Sequence, residues 1–257
     1  MKNFLLIFFF LSINILNGQN NKAFKSGEWL KYKISYSGWF KAGEAIVSLN
    51  NTELGDNLYH STIIGKTTGA MNLFFRVKDT YESYFYKKNI LPIRFLRNIN
   101  EGGYEKNIEL LFNHEEGNVT VNDFKRNTSQ NISLISRSQD MVSVFYHMRN
   151  VFELNKLDRN GEMLINMFFD SENYKLKIKY LSTEILNTNF GKILCYKIIP
   201  YVQSGRVFKK NESLTMWVTA DKNRVPVRIK ADLIVGSVRI DLESYSNLNN
   251  PFKLIYN

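Results

Sequence analysis

Cysteine is almost absent. Cys195 stands alone in 257 residues, so no intrachain disulfide can form and the fold must be held by packing and backbone pairing. It lies in the run Ile193-Leu194-Cys195-Tyr196-Lys197-Ile198, where a small apolar strand residue is expected rather than a nucleophilic thiol. Histidine is also scarce, with only His60, His114 and His147. No two of these are four residues apart and H-E-x-x-H does not occur, so a zinc centre would need ligands converging from separate segments. There is no G-x-S-x-G elbow for an activated serine and no G-x-x-x-x-G-K-[ST] phosphate loop; Lys66 follows Gly65 directly. No catalytic residue, metal ligand or cofactor is assigned on these grounds. No apolar run after the N-terminus is long enough for a membrane-crossing helix.

The N-terminus itself is a sorting signal by its pattern. Lys2 gives a positive start, Phe4 to Ile13 is apolar, and Asn17-Gly18-Gln19 is a small-polar exit. The apolar run falls short of the ~20 residues that span a bilayer. The reading is a signal peptide over 1–18, although Leu16 is a poor match to the small residue wanted there; a retained anchor is the alternative. No cysteine lies near the cleavage point, so a lipid-modified N-terminus is not expected. The chain is then secreted across an inner membrane, to be periplasmic or outer-membrane-associated, with 19–257 as one β-rich domain of roughly 240 residues.

With 44% hydrophobic residues the chain can bury a substantial core, and its net charge is +10. Much of that charge alternates with apolar residues: Lys175, Lys177 and Lys179 interleave with Tyr174, Leu176, Ile178 and Tyr180, as on the wet face of a half-buried strand. A basic exported protein can meet acidic glycans or lipid headgroups. Nucleic acid is not an expected partner, since no recognition motif is present.

What the chain has is alternation. Leu30, Tyr32, Ile34 and Tyr36 share one face, with Lys31, Lys33 and Ser35 on the other. Tyr104, Lys106, Ile108, Leu110 and Phe112 oppose Glu105, Asn107 and Glu109. Val227, Ile229, Ala231, Leu233 and Val235 alternate with Arg228, Lys230 and Asp232. About a dozen such segments, separated by short polar turns, predict a mainly β fold. The expected form is a strongly curved antiparallel sheet or partly open β-barrel. Asn122 to Gln130 reads as a loop, and Met71 to Arg76 as a helical turn or a bend. One helix is expected around Met141–Arg149, packed on the sheet. Ser136 and Gln139 have capping-box spacing, Met141, Val144, Phe145 and Met148 form the apolar stripe, and Arg149 is a cation at its end.

The stretch from Gly65 to Phe112 is densest in aromatics, arginines and glycines. Arginine forks bind carboxylate or phosphate at two points and stack on rings. The candidate ligand-binding residues are therefore Arg76, Arg94, Arg97, Tyr104, Arg206 and Arg228, at the mouth of an aromatic-lined concave sheet suited to an amphiphile with an acidic head. The plainer alternative is that such arginines pair with Asp79, Glu82, Glu101 and Asp232 and only cover the sheet. Asp79 and Glu82 would be the first candidates if the protein were a glycosidase.

Several pieces carry a resemblance. They are Gly27-Glu28-Trp29-Leu30-Lys31-Tyr32, Ala42-Gly43-Glu44-Ala45, Arg94-Phe95-Leu96-Arg97, Asn100-Glu101-Gly102-Gly103-Tyr104, Gly205-Arg206-Val207-Phe208-Lys209, Trp217-Val218-Thr219, Asn223-Arg224-Val225-Pro226-Val227-Arg228 and Val235-Gly236-Ser237-Val238. Together they resemble the exported bacterial domain-of-unknown-function family 3108, in its Bacteroidetes branch. The resemblance implies export and a curved antiparallel sheet with a helix, similar to periplasmic lipoprotein carriers, and brings no activity, cofactor or catalytic residue. The functional expectation is a non-enzymatic envelope protein that binds an amphiphilic or acidic ligand, a lipid or an acidic glycan. The alternatives are an assembly module with an envelope protein partner, or a glycan or peptide hydrolase using Asp79 or His147.

Overall fold

The structure is a computed structural model and describes residues 22–37, 40–201, 214–234 and 236–256. Among them are fourteen strands and two short helices. The first eight strands are β1 (Glu28–Tyr36), β2 (Phe40–Asn51), β3 (Leu58–Thr67), β4 (Lys78–Tyr86), β5 (Pro92–Glu101), β6 (Tyr104–Asn113), β7 (Asn118–Asp123) and β8 (Thr128–Ser133). The other six are β9 (Glu162–Phe169), β10 (Glu172–Thr188), β11 (Gly191–Pro200), β12 (Leu214–Thr219), β13 (Pro226–Asp232) and β14 (Ser237–Ser246). Helix α1 (Met71–Phe74) joins β3 to β4, and α2 (Ser143–Val151) lies between β8 and β9.

All strands belong to one antiparallel sheet in the order β8-β7-β6-β5-β4-β3-β2-β1-β14-β13-β12-β11-β10-β9. Two meanders are thus joined where the first strand pairs with the last. The two edges, β8 and β9, are neighbours in sequence that do not pair. The sheet is curved and unclosed, and the chain leaving β8 spans the gap. Asn173 Nδ2 donates to the Ser133 carbonyl at 2.8 Å and the Ile135 N–H donates to Asn173 Oδ1 at 2.9 Å. Gln139 then pairs in parallel with Met167 on β9. This strap carries the chain from one edge to the other.

The expected alternation is realised where one face is buried. Ile108, Leu110 and Phe112 of β6 enter the core, as do Val227 and Ala231 of β13. On β1 it fails midway. The register shifts between Ile34 and Ser35, and Ser35, not Ile34, is fully buried. The extra residue, Ala42, is on β2: Gly43 pairs with Ile34 and Lys41 with Ser35, a bulge that bends β2 and raises the local twist at this point. Part of the expected loop at 122–130 is also strand, because β8 begins at Thr128. Its sequence, TSQNIS, is polar apart from Ile132, the one residue it packs against the core, so this exposed edge strand leaves no periodic signature. β10 runs unbroken for 17 residues; its first half pairs with β9 and its second with β11.

Helix α2 packs on the sheet, and none of its residues is exposed. Tyr146 is fully buried, with Phe24, Phe145 and Phe85 rings at 4.7, 5.0 and 5.4 Å. On its other side Met148 and Phe152 pack with Ile165, Ile178, Ile198 and Val218. The cap is Asp140, not the expected Ser136 and Gln139 pair. Asp140 Oδ1 accepts the N–H groups of Val142 and Ser143, both at 2.7 Å, and the Asp140 N–H donates to Ser143 Oγ at 2.9 Å. These bonds satisfy donors that the first turn leaves free. Gln139 is instead spent in the strap. Arg149 lies in the last turn of α2, as expected, but it is wholly buried and bound to Glu28.

Turns alternate between two ends of the sheet. One, the terminal end, holds the entering segment near Ala23 and the closing residues near Asn250. There Ala23 N–H donates to Asn150 Oδ1 and Asn223 Nδ2 to the Asn250 carbonyl, both at 3.0 Å. The opposite, tip end carries α1 and the turns β5–β6, β7–β8 and β9–β10.

Candidate functional site

Pleating puts alternate residues of β5 and β6 on the inner face of the sheet. Phe95 stands opposite Leu110, and Arg97 opposite Ile108. Lys106 follows on that face, with Val121 on β7. From the far edge of the sheet the β9–β10 turn, Phe169-Asp170-Ser171, reaches over them. The result is a cavity of about 180 Å³ beside the seam between the two sheet edges. Its floor is apolar and its rim is charged.

The turn residues Asp170 and Ser171 both have positive φ, 46° and 65°, the backbone of a two-residue hairpin turn that matches strand twist. That backbone aims the Asp170 carboxylate at two cations. Arg97 Nη1 and Lys106 Nζ each lie 2.6 Å from Asp170 Oδ1. Burial pushes the Asp170 carboxyl up, but Lys106 and Arg97 outweigh it and hold it below the ordinary range. The Arg97 guanidinium also sits 5.1 Å from the Phe169 ring centre. Its Nε is buried and has no hydrogen-bond partner among the described residues.

Next to Arg97 lies a carboxyl pair. Burial, and then a hydrogen bond shared with Asp79, raise the Glu101 carboxyl above its usual range, while Arg97 pulls the other way. Asp79 Oδ1 accepts the Asn100 N–H at 3.1 Å. The partner of Asp79 is therefore Glu101 rather than Glu82. Asp79 and Glu82 are three residues apart on β4 and face opposite sides; Glu82 instead contacts His60 at 2.8 Å.

Of the five arginines and one tyrosine singled out from sequence, Arg97 is the one among the described residues that lines this cavity. Arg94, three residues earlier, points to the other face, where it binds Glu109 at 2.7 Å and lies over Tyr84. Arg228 is on β13, paired with Asp241 at 2.5 Å. Arg76 and Tyr104 are exposed at the tip end. Arg206 lies outside the described residues. The arginines do find carboxylates, though not the expected ones: Glu109, Asp170 and Asp241. Sequence reasoning missed Lys106 and Asp170 as site residues. The signal for Lys106 was present, since a cation in line with Ile108, Leu110 and Phe112 is an inward-facing charge.

Other reactive side chains are engaged or silent. Burial and nearby Arg137 push His147 down to about 4, and burial lowers His114, which contacts the Pro92 carbonyl at 2.9 Å. No group of three metal-binding side chains occurs among the described residues. Burial, then Asp221 and Glu184, push the Cys195 thiol up to about 12. A broader depression of about 400 Å³ lies at the terminal end near Phe152, Tyr196 and Asp221, but its Asp221 is already bonded to Thr219, Asn223 and Lys253.

The chain is similar in fold to a β-barrel-like protein of the domain of unknown function DUF1849 from Brucella abortus. The TM-score is 0.60 at 11% identity, over 88% of this chain and all of that one. Weaker matches are a candidate lipoprotein of Parabacteroides distasonis, at TM-score 0.34 and 13% identity over 88% of this chain and 98% of that one, and a candidate exported protein of Bacteroides fragilis with a YmcC-like fold, at TM-score 0.33 and 8% identity over 86% and 96%. No curated protein matches the chain. The family profile of DUF3108, a protein family of unknown function, matches residues 31–243, and across that span the chain carries the edge-to-edge meander just described: it belongs to the DUF3108 family.

Proposed function

We propose that this protein is a non-enzymatic binding module of the cell envelope that holds the acidic head of an amphiphile in the seam cavity. One observation carries the reading: a single buried guanidinium donor, Arg97 Nε, has no partner among the described residues, while Asp170 and Tyr81 engage the rest of the group, above an apolar floor of Phe95, Ile108 and Leu110. Leaving such a donor unsatisfied costs about 1–3 kcal/mol, which an incoming carboxylate or phosphate oxygen would recover. Asp170 acts as the built-in stand-in for that head, and the acyl portion follows the apolar floor. Residues 1–18 serve as the export signal and 19–257 as one binding unit, delivered to the periplasm or the outer membrane.

The test is native mass spectrometry of gently purified protein, followed by lipid extraction. An acidic lipid should co-purify and be lost from the Arg97→Gln/Lys106→Gln variant. Protein that is uniformly ligand-free, or a lipid retained equally by the variant, would count against the reading.

A further inference from the structure

At the tip end the chain holds out consecutive apolar side chains. Leu73 and Phe74 are each 85% exposed and Phe75 is 50% exposed. Single exposed apolar residues are ordinary, but a contiguous trio is not. Nor is this a slack loop. The Phe75 N–H donates to the Met71 carbonyl at 2.8 Å, the Val77 N–H donates to Thr67 Oγ1 at 2.9 Å, and Thr67 Oγ1 donates to Asn72 Oδ1 at 3.1 Å. The Gly102 N–H donates to the Arg76 carbonyl at 2.9 Å. The ring of Phe75 rests on Gly102, where an added Cβ would meet Phe75 Cε2 at 2.5 Å. Neighbouring turns thus fix the projection, and the fold turns two large apolar side chains to solvent.

Cations flank the apolar side chains, while the carboxylates of the neighbouring β5–β6 hairpin are Glu101, opposite Val77, and Glu105, paired with Lys125. Arg76 and Lys78 follow immediately, both exposed, and form no ion pair among the described residues. Lys41 is exposed at the start of β2, against which α1 packs. Apolar tips flanked by cations that form no ion pair among the described residues fit a surface that is negative outside and hydrocarbon within. We propose that the tip end docks on an anionic lipid bilayer, with Leu73 and Phe74 entering the acyl boundary and Arg76 and Lys78 on the headgroups. This holds whether or not the seam cavity binds a ligand.

The test reads insertion at the site itself. Full-length Phe74→Cys protein is labelled with the environment-sensitive fluorophore NBD; buried Cys195 does not compete. Leu54→Cys, on the exposed β2–β3 turn at the terminal end, is the control, roughly 30 Å away along β3. Vesicles of phosphatidylglycerol and phosphatidylcholine, 1:1, should raise NBD emission at 74 at least about threefold and leave 54 unchanged. Pure phosphatidylcholine, 1 M salt, or added Arg76→Glu/Lys78→Glu should weaken the apparent affinity about tenfold or more. Equal responses at 74 and 54, or equal responses to both vesicles, would overturn the proposal. So would no vesicle response, including the case where emission at 74 rises with protein concentration alone, which would mark the patch as a contact between copies.

Discussion

Arg149 and Glu28 form a two-point ion pair in the core, with Nη1–Oε1 at 2.6 Å and Nη2–Oε2 at 2.8 Å, and neither side chain reaches solvent. Burial alone would lower the Arg149 pKa, but Glu28 outweighs it and raises it. Two of the three remaining guanidinium N–H groups go to the carbonyls of Asn223 and Ala23. One side chain on α2 thereby ties the first strand, the β12–β13 turn and the entering segment together. Breaking one half of a buried pair leaves an uncompensated charge and typically costs 3–5 kcal/mol. Arg149→Met and Glu28→Gln should each lower unfolding free energy by about that much in urea titrations, and the double variant should lose less than their sum.

Asp140 should make stability depend on pH in an unusual direction. Burial raises its carboxyl to about 6, against the pull of hydrogen bonds from Ser83, Ser143 and Val142. Because the folded value lies above the unfolded one, this group's stabilisation is complete below about pH 4 and fades as pH rises through about 6. Asp140→Asn keeps an acceptor for the helix cap and removes the titration. Urea unfolding should show wild type losing about 2–3 kcal/mol relative to this variant between about pH 4 and pH 7. His147 titrates in the opposite sense in both proteins and cancels. Asp140→Ala, which also removes the cap, should be about 1–2 kcal/mol less stable than the Asn variant.

If Asp170 is the stand-in for a ligand head, removing its charge should help the ligand. Asp170→Asn frees Arg97 and Lys106 and should bind dansylated undecanoate about five- to tenfold tighter in a fluorescence titration. Arg97→Gln should weaken the same binding by a similar factor. An unchanged affinity in both variants would detach the cavity from acidic ligands.

Cys195 should be inert while the fold holds. It is fully buried, and its thiol is pushed up to about 12, so almost no thiolate exists at neutral pH. A chromogenic disulfide reagent should detect no thiol in native protein and one per chain in guanidinium. Rapid native reaction would mean that β11 opens readily.

The curved antiparallel sheet was legible because most strands bury one face and so alternate. β6 and β13 read directly from their residues. β8 did not, since an exposed edge with only Ile132 turned to the core has no periodic face, and the Ala42 bulge opposite Ile34 and Ser35 did not, since a one-residue shift in pairing leaves no trace in composition. Arg149 looked like a helix-end cation because its partner, Glu28, lies 121 residues earlier. The site was half legible. Arg97 was found by residue type, whereas its union with Asp170 depends on two sheet edges meeting across 73 residues. The paired roles of Arg94 and Arg228 follow from cross-strand register, which periodicity does not supply.

The pairing of β1 with β14 sets an order of assembly. Each meander can zip locally as it is synthesised, since its partners are close in sequence. Joining them must wait until the stretch ending at Ser246 exists, because Tyr32 finds Leu242 only then. A chain halted anywhere before that point keeps the nine-residue inner strand β1 open along one side, a template for pairing with another molecule. Premature release near the C-terminus would therefore yield aggregates rather than a slightly weakened monomer.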